Sequence, residues 1–359
     1  MKNIFNYNQD LVNACTVFWN WFCENEKKFY NALSERKNVE NDFFNPLTDT
    51  LDKLREGLYF VAGMPDKQTA ELIFTAEGKS KHFVFVEALV ALAPEIPGWK
   101  FVALKPANIG NMRIRMDEYI FSTENIWFYS NIHKAYPDKI DIMIVHKDYT
   151  EENKDLITNG CFLLLENLLG EINFASVIDA AKVCGAAEAT EELVPVTKLN
   201  AFIEWRQKEF IEKYEDVTHN TGGDAYSTLE ATLKNGDSVV ATVNTDLLAW
   251  DKKASHPWLA LVEIMYDGSQ NYGMPSPEVV PLLEQIENDL MEQLKDSEGY
   301  LFIARQTGEG AREIHFACKE FRKISLVITE IIRKYADRID MDYEIYKDKY
   351  WISMNRYMN

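Results

Sequence analysis

Apolar residues recur at helical spacing through the first segment of the chain. Leu11, Cys15, Phe18, Phe22, Phe29 and Leu33 fall close to one face of a 3.6-residue period. Trp19 and Trp21 widen that stripe, and a core-facing helix explains them better than a cofactor stack. A second helix is predicted over Val39 to Arg55, with Pro46 near its start and Gly57 closing it. The texture then shortens. Leu58 to Ala62 and Ala70 to Ala76 read as strands joined through MPDKQ, Phe83 to Leu92 as a helix, and Trp99 to Leu104 as a strand. Ile126 to Ile132 and Ile140 to Val145 read as further strands. Phe162 opens a helical stretch expected to reach Val183, with Gly170 as a break. Leu199 to Tyr214 has the periodicity of a connector helix.

The pair Gly222 and Gly223 in VTHNTGGDAYS marks a domain boundary, giving domains 1–216 and 217–359. The second part has the clearer pattern. Ser238 to Thr245 alternates as a strand. Trp258 to Tyr266 is apolar on both faces apart from Glu263, as a central strand would be. Val280, Leu283, Ile286, Leu290 and Leu294 mark a helix, whose start is set by Ser276 and Pro277 or by Pro281. Tyr300 to Gln306 and Arg312 to Cys318 form a hairpin around TGEGA, Ile324 to Ile331 a last helix, and Ile339 to Ile345 a final strand. The predicted fold class is α+β in two domains, each a mostly antiparallel sheet with helices packed on it. The first begins with a helical hairpin; the second is expected to be ferredoxin-like.

The chain has 359 residues, enough for two domains, and a formal charge of -19 from 38 basic and 57 acidic residues. The acidity is distributed. Residues 1–216 carry 23 basic and 34 acidic side chains, and 217–359 carry 15 and 23. This balance disfavours direct nucleic-acid binding and adhesion to an anionic membrane, both of which need an excess of cations. It favours encounter with a basic protein partner. No stretch has the ~20 apolar residues of a membrane span. Asn8, Gln9, Asp10 and Asn13 interrupt any secretory signal, so a cytoplasmic location is expected.

Catalytic and cofactor patterns are missing from the sequence. GxSxG, the phosphate loop and HExxH do not occur. The GxG of Gly308 and Gly310 lies between strands rather than before a helix. Five cysteines, none in CxxC, fit buried free thiols, and six scattered histidines show no metal spacing. No cofactor and no metal are expected. Six residues remain as contact candidates. Arg305 and Arg312 can approach across their hairpin and suit a carboxylate or phosphate, unless nearby acids such as Glu309 or Glu313 take them up. His315 should face away from Arg312. His256, Trp258 and Trp351 can line an aromatic groove or pack at a rim. Lys79, Lys81 and His82 follow a glycine at a helix start.

The strand HPWLALVEIMYDG, the turn YGMPSPE, the hairpin IARQTGEGAREIHFAC and the aromatic end DKYW resemble the bacterial domain of unknown function 695, over about residues 220–358. His315 and Ala317 depart from it, standing where aromatics are expected. The resemblance implies a fold without an established reaction. That family often accompanies domains similar to regulator of ribonuclease activity B, a small acidic ferredoxin-like protein. This implies a regulatory binding role with a basic RNA-processing protein as partner. The leading expectation is therefore a non-enzymatic interaction or regulatory protein. The alternatives are an enzyme or small-ligand binder with its site between the domains, and a homodimer formed through sheet edges.

Overall fold

The computed structural model describes residues 7–108 and 112–358. Residues 1–6, where the stretch read for a secretory signal begins, lie outside the described residues. The chain divides into two compact units, Met1–Gln207 and Lys208–Asn359, with the division falling inside the helix read as a connector.

In the first unit, α1 (Gln9–Glu35) begins where Asn8 Oδ1 accepts from the amide of Leu11, 2.8 Å away. It buries Cys15, Phe18, Trp19, Phe22, Phe29 and Leu33, most of the stripe expected of it, while Leu11 and Trp21 are half-buried. A π-helical turn, Glu40–Phe44, leads into α2 (Asn45–Leu54), and Pro46 stands in its first turn, where a missing N–H costs little. Strand β1 (Tyr59–Gly63) pairs antiparallel with β2 (Ala70–Thr75). The crossover through α3 (Ser80–Ala91) brings β3 (Trp99–Ala103) parallel to β2. The rings of Trp19 and Phe22 meet Phe101 of β3 at centroid distances of 4.6 and 5.4 Å, so α1 is held to this sheet through aromatic edges.

A hairpin of β4 (Arg113–Met116) and β5 (Tyr119–Ser122) follows. Next come β6 (Ile126–Asn131), β7 (Asp141–His146), α4 (Lys154–Leu169), α5 (Glu171–Ser176), β8 (Ala180–Gly185), β9 (Val194–Pro195) and α6 (Leu199–Tyr214). The second sheet has the order β8-β7-β6-β9, with β8 parallel to β7. The first unit thus holds two sheets and a hairpin where one sheet was expected. The helix read from Phe162 to Val183 starts earlier and stops at Gly170, and its last part is the strand β8. Gly170 has a φ of 77°, and a Cβ there would stand 2.8 Å from the amide nitrogen of Ala107. Close backbone approach, rather than apolar spacing, sets that break. Directly after it, Glu171 is buried and accepts from Thr75 Oγ1 (2.6 Å) and from the amides of Ala76, Gly78 and Lys105 (3.0, 3.0 and 3.1 Å). One carboxylate thereby joins the ends of β2 and β3 to α5.

The second unit is a six-stranded antiparallel sheet. Its elements are β10 (Tyr226–Thr232), β11 (Ser238–Asn244), α7 (Thr245–Ala249), β12 (Trp258–Met265), α8 (Val280–Gln293), β13 (Tyr300–Gly308), β14 (Ala311–Cys318), α9 (Arg322–Tyr335) and β15 (Asp340–Lys347). Strand order is β10-β11-β13-β14-β12-β15, so the run β12-α8-β13-β14-α9-β15 has the order 4-1-3-2. Glu309 and Gly310, with φ of 54° and 79°, form the two-residue turn between β13 and β14, which accounts for Gly310, while a Cβ at Gly308 would stand 2.6 Å from the Ser238 carbonyl oxygen. Helices α8 and α9 pack on the face of Ala260, Val262, Ile314 and Phe316. The other face is covered in part by α7 and a 3-10 helix, Ile352–Tyr357, around Leu259, Leu301, Ala317 and Trp351.

Candidate functional site

Alternation places Arg305 and Arg312 on the helix face of the second unit. Arg305 stands opposite Ile314 and Thr307 opposite Arg312, so the two guanidiniums are diagonal neighbours. Both turn to Glu287 of α8. Arg305 Nη1 donates to its two oxygens at 3.0 and 3.2 Å, and Arg312 Nη1 lies 3.5 Å from Oε2. Arg312 Nε donates to Thr307 Oγ1 at 3.1 Å. Arg312 is buried, which lowers its pKa, and Glu287 acts in the opposite sense. The acid that meets the pair is therefore not Glu309 or Glu313 of the hairpin. It comes from a helix, and strand spacing carries no information about which helical residue lies overhead.

His315 lies on the opposite face from Arg312 and is also buried. Its Nε2 is 2.9 Å from Arg356 Nη2, 3.3 Å from Glu313 Oε2 and 3.4 Å from the Tyr357 hydroxyl. One ring nitrogen thus faces both donors and an acceptor. Neutral at Nε2, it accepts from Arg356; protonated there, it donates to Glu313. Burial lowers the His315 pKa against the pull of Glu313. The hydrogen bond from His315, with help from Arg356, draws Glu313 down to about 2. Arg356 Nη2 also donates to Glu313 Oε2 at 2.5 Å. Arg356 and Tyr357 reach this point because the chain folds back after β15, a return that period-two spacing cannot reveal.

His256 and Trp351 come together, and Trp258 does not join them. Trp351 Nε1 donates to the His256 carbonyl at 2.9 Å, and Trp250 packs against both rings. Trp258 points to the helix face, edge-on to Phe321 at 4.6 Å. His256 is fully buried. Its Nδ1 is 2.8 Å from Ser255 Oγ, which donates to the Lys252 carbonyl. Nε2 makes no hydrogen bond among the described residues, and burial pushes the ring down to about 3. Beside Trp250, His219 Nε2 contacts Asp224 at 2.8 Å, and Asn244 Nδ2 donates to the same carboxylate at 2.8 Å. No spacing or motif singles out this His–Asp pair, which only the packing around Trp250 reveals. His82, at the helix start noted above, is buried and accepts at Nδ1 from Arg55 Nε.

The outer face carries a row of acids. Glu313, Glu263 and Asp342 stand in register on the adjacent strands β14, β12 and β15, and Gln306 extends the row on β13. Glu263 is half-buried between the other two and has no ion pair among the described residues. Glu344, exposed, occupies the next row. Glu263 was the polar exception in its strand, but only the strand order shows that it stands between two other acids.

Four of the five cysteines are buried, whereas Cys23 is exposed, against the expectation for all five. Among the described residues no three His, Cys, Asp or Glu side chains are placed to hold a metal ion, and no helix is long and apolar enough to cross a membrane.

Residues 231–357 match the family described as "Family of unknown function (DUF695)". No curated protein matches the chain, and no solved structure does.

Proposed function

Taking a C-terminal part that matches a family of unknown function as the premise, we propose that this chain is a non-enzymatic interaction protein. Its β12–β15 face docks a basic protein partner. The observation that carries this reading is Glu263. A half-buried carboxylate between Glu313 and Asp342, with no ion pair among the described residues, is an unfavourable arrangement in the isolated chain. A cation from outside relieves it. Glu313 is already paired with Arg356, so the charge left for a partner at this point of the row is that of Glu263. The formal charge of -19 adds long-range attraction, which speeds encounter with basic surfaces and weakens with salt. The order 4-1-3-2 supports reading the β12–β15 run as a ferredoxin-like core. Buried free thiols, whose pKa burial raises at Cys15, Cys161 and Cys318, are consistent with a reducing cytoplasm.

The test is a paired capture from native extract at moderate salt, using the full chain and its Glu263→Lys/Asp342→Lys variant. A basic protein retained by the first and lost by the second supports the reading. Identical retention by the two chains overturns it.

A further inference from the structure

The first unit carries a groove at a sheet edge, apart from the Glu263 face. Strand β6 runs from Ile126 to Asn131, all of it paired on one side with β7. On its other side β9 covers only Trp127 and Phe128, opposite Pro195 and Val194. Continued in that register, Leu193, Glu192 and Glu191 would stand opposite Tyr129, Ser130 and Asn131. The chain instead leaves the ladder, and a groove of about 600 Å³ opens beside the uncovered edge. Residues 128–133 form one wall. The other includes Glu191, Glu192, Lys198 and Phe202. This volume lies in the range of ordinary ligand sites.

We propose that this groove binds an extended peptide segment carrying a basic side chain, added as a strand beside β6. Phe128 turns its N–H and C=O to β9, since Pro195 opposite Trp127 has no N–H to give; by alternation Ser130 turns its own to the uncovered edge, with no strand partner on that side, as strand addition requires. Phe128 and Phe202, with ring centroids 5.6 Å apart, give an apolar base, and Ile132 is 87% exposed at the rim. The charge selects the occupant. Glu191 and Glu192 are exposed and have no ion pair among the described residues. His133 Nε2 is held 2.7 Å from the buried Asp141 carboxylate, whose other oxygen accepts from Asn131. Lys198 is the lone lysine or arginine among the lining residues. A second copy of this chain would bring the same two glutamates to the edge, so the acids guard against self-pairing while admitting a basic segment.

The proposal is independent of the Glu263 face. Calorimetric titration of the full chain with three capped hexapeptides tests it. The first alternates lysine and valine, the second alternates glutamate and valine, and the third is the lysine peptide with alternate backbone nitrogens methylated. Saturable binding of the first is expected, at least tenfold weaker for the other two. Glu191→Lys/Glu192→Lys should weaken it at least tenfold without moving the melting temperature, and Glu263→Lys should leave it unchanged. The amides of Ser130 and Ile132, which face the uncovered edge, should gain protection from exchange. Absence of saturable binding overturns the proposal, as does equal binding of the acidic or the methylated peptide. Equal affinity for lysine amide alone would reduce the site to a small-amine pocket and overturn strand addition.

Discussion

Glu263 stands directly opposite Glu313 across the β12–β14 ladder, two carboxylates in register on the sheet face away from α8 and α9. Like charges so placed oppose folding, and the Arg356 paired with Glu313 offsets part of that repulsion. Glu263→Gln should therefore stabilise the isolated chain by about 0.5 kcal/mol in urea unfolding, with the larger gain at low salt. A loss of stability would show that Glu263 already has a favourable role within the chain.

Glu287 anchors α8 to the sheet through Arg305 and Arg312. Removing it leaves Arg312 buried without its counter-charge, so Glu287→Ala should cost about 2–4 kcal/mol. The paired change Glu287→Leu/Arg312→Met, which withdraws both charges, should recover most of that loss. Equal destabilisation by the single and paired changes would mean that packing, and not the ion pair, dominates.

Acid should weaken the fold through its buried histidines. His256 titrates near 3 when folded and near its ordinary 6.5 when unfolded. The unfolded chain therefore takes up the proton first. The stabilising contribution is complete above about pH 6.5 and declines as pH falls toward 3, by ~1.4 kcal/mol per unit for one such group. His315 has the same sign, and Glu313 adds its own loss from about 4.5 down to about 2. Urea midpoints should change little between pH 7.5 and 6.5 and fall from 6.5 to 5.5, and His256→Phe should reduce that fall. An unchanged fall would show that His256 is not held neutral.

The limits of the sequence are visible in particular residues. The stripe from Cys15 to Leu33 and the hairpin from Tyr300 to Cys318 were legible, because burial follows the period of each element. The opposite placement of Arg312 and His315 followed from alternation alone. Glu287 was not legible, because its partners are on strands that follow it and only helix-on-sheet packing brings it to them. The strand Ala180–Gly185 was hidden by small residues that fit either period. Arg356 and Tyr357 reach His315 by a return of the chain that local spacing does not encode.

Glu171 ties two sheet ends to α5 through four donors. Glu171→Ala should leave these buried groups unsatisfied and cost about 3 kcal/mol or more, while Thr75→Val, which removes one donor, should cost about 1. Hydrogen exchange should report faster exchange at the amides of Ala76, Gly78 and Lys105. Unchanged protection there would mean that water or a neighbouring group replaces the carboxylate.

A basic protein docked on the Glu263 face must shield the strands that carry it from solvent. Hydrogen exchange of the full chain, with and without the protein retained at moderate salt, is the measurement. Added protection on β12, β15 and residues 352–357, lost in Glu263→Lys/Asp342→Lys, is the predicted result. Protection confined to α8 and α9, or unchanged by those substitutions, would contradict the account.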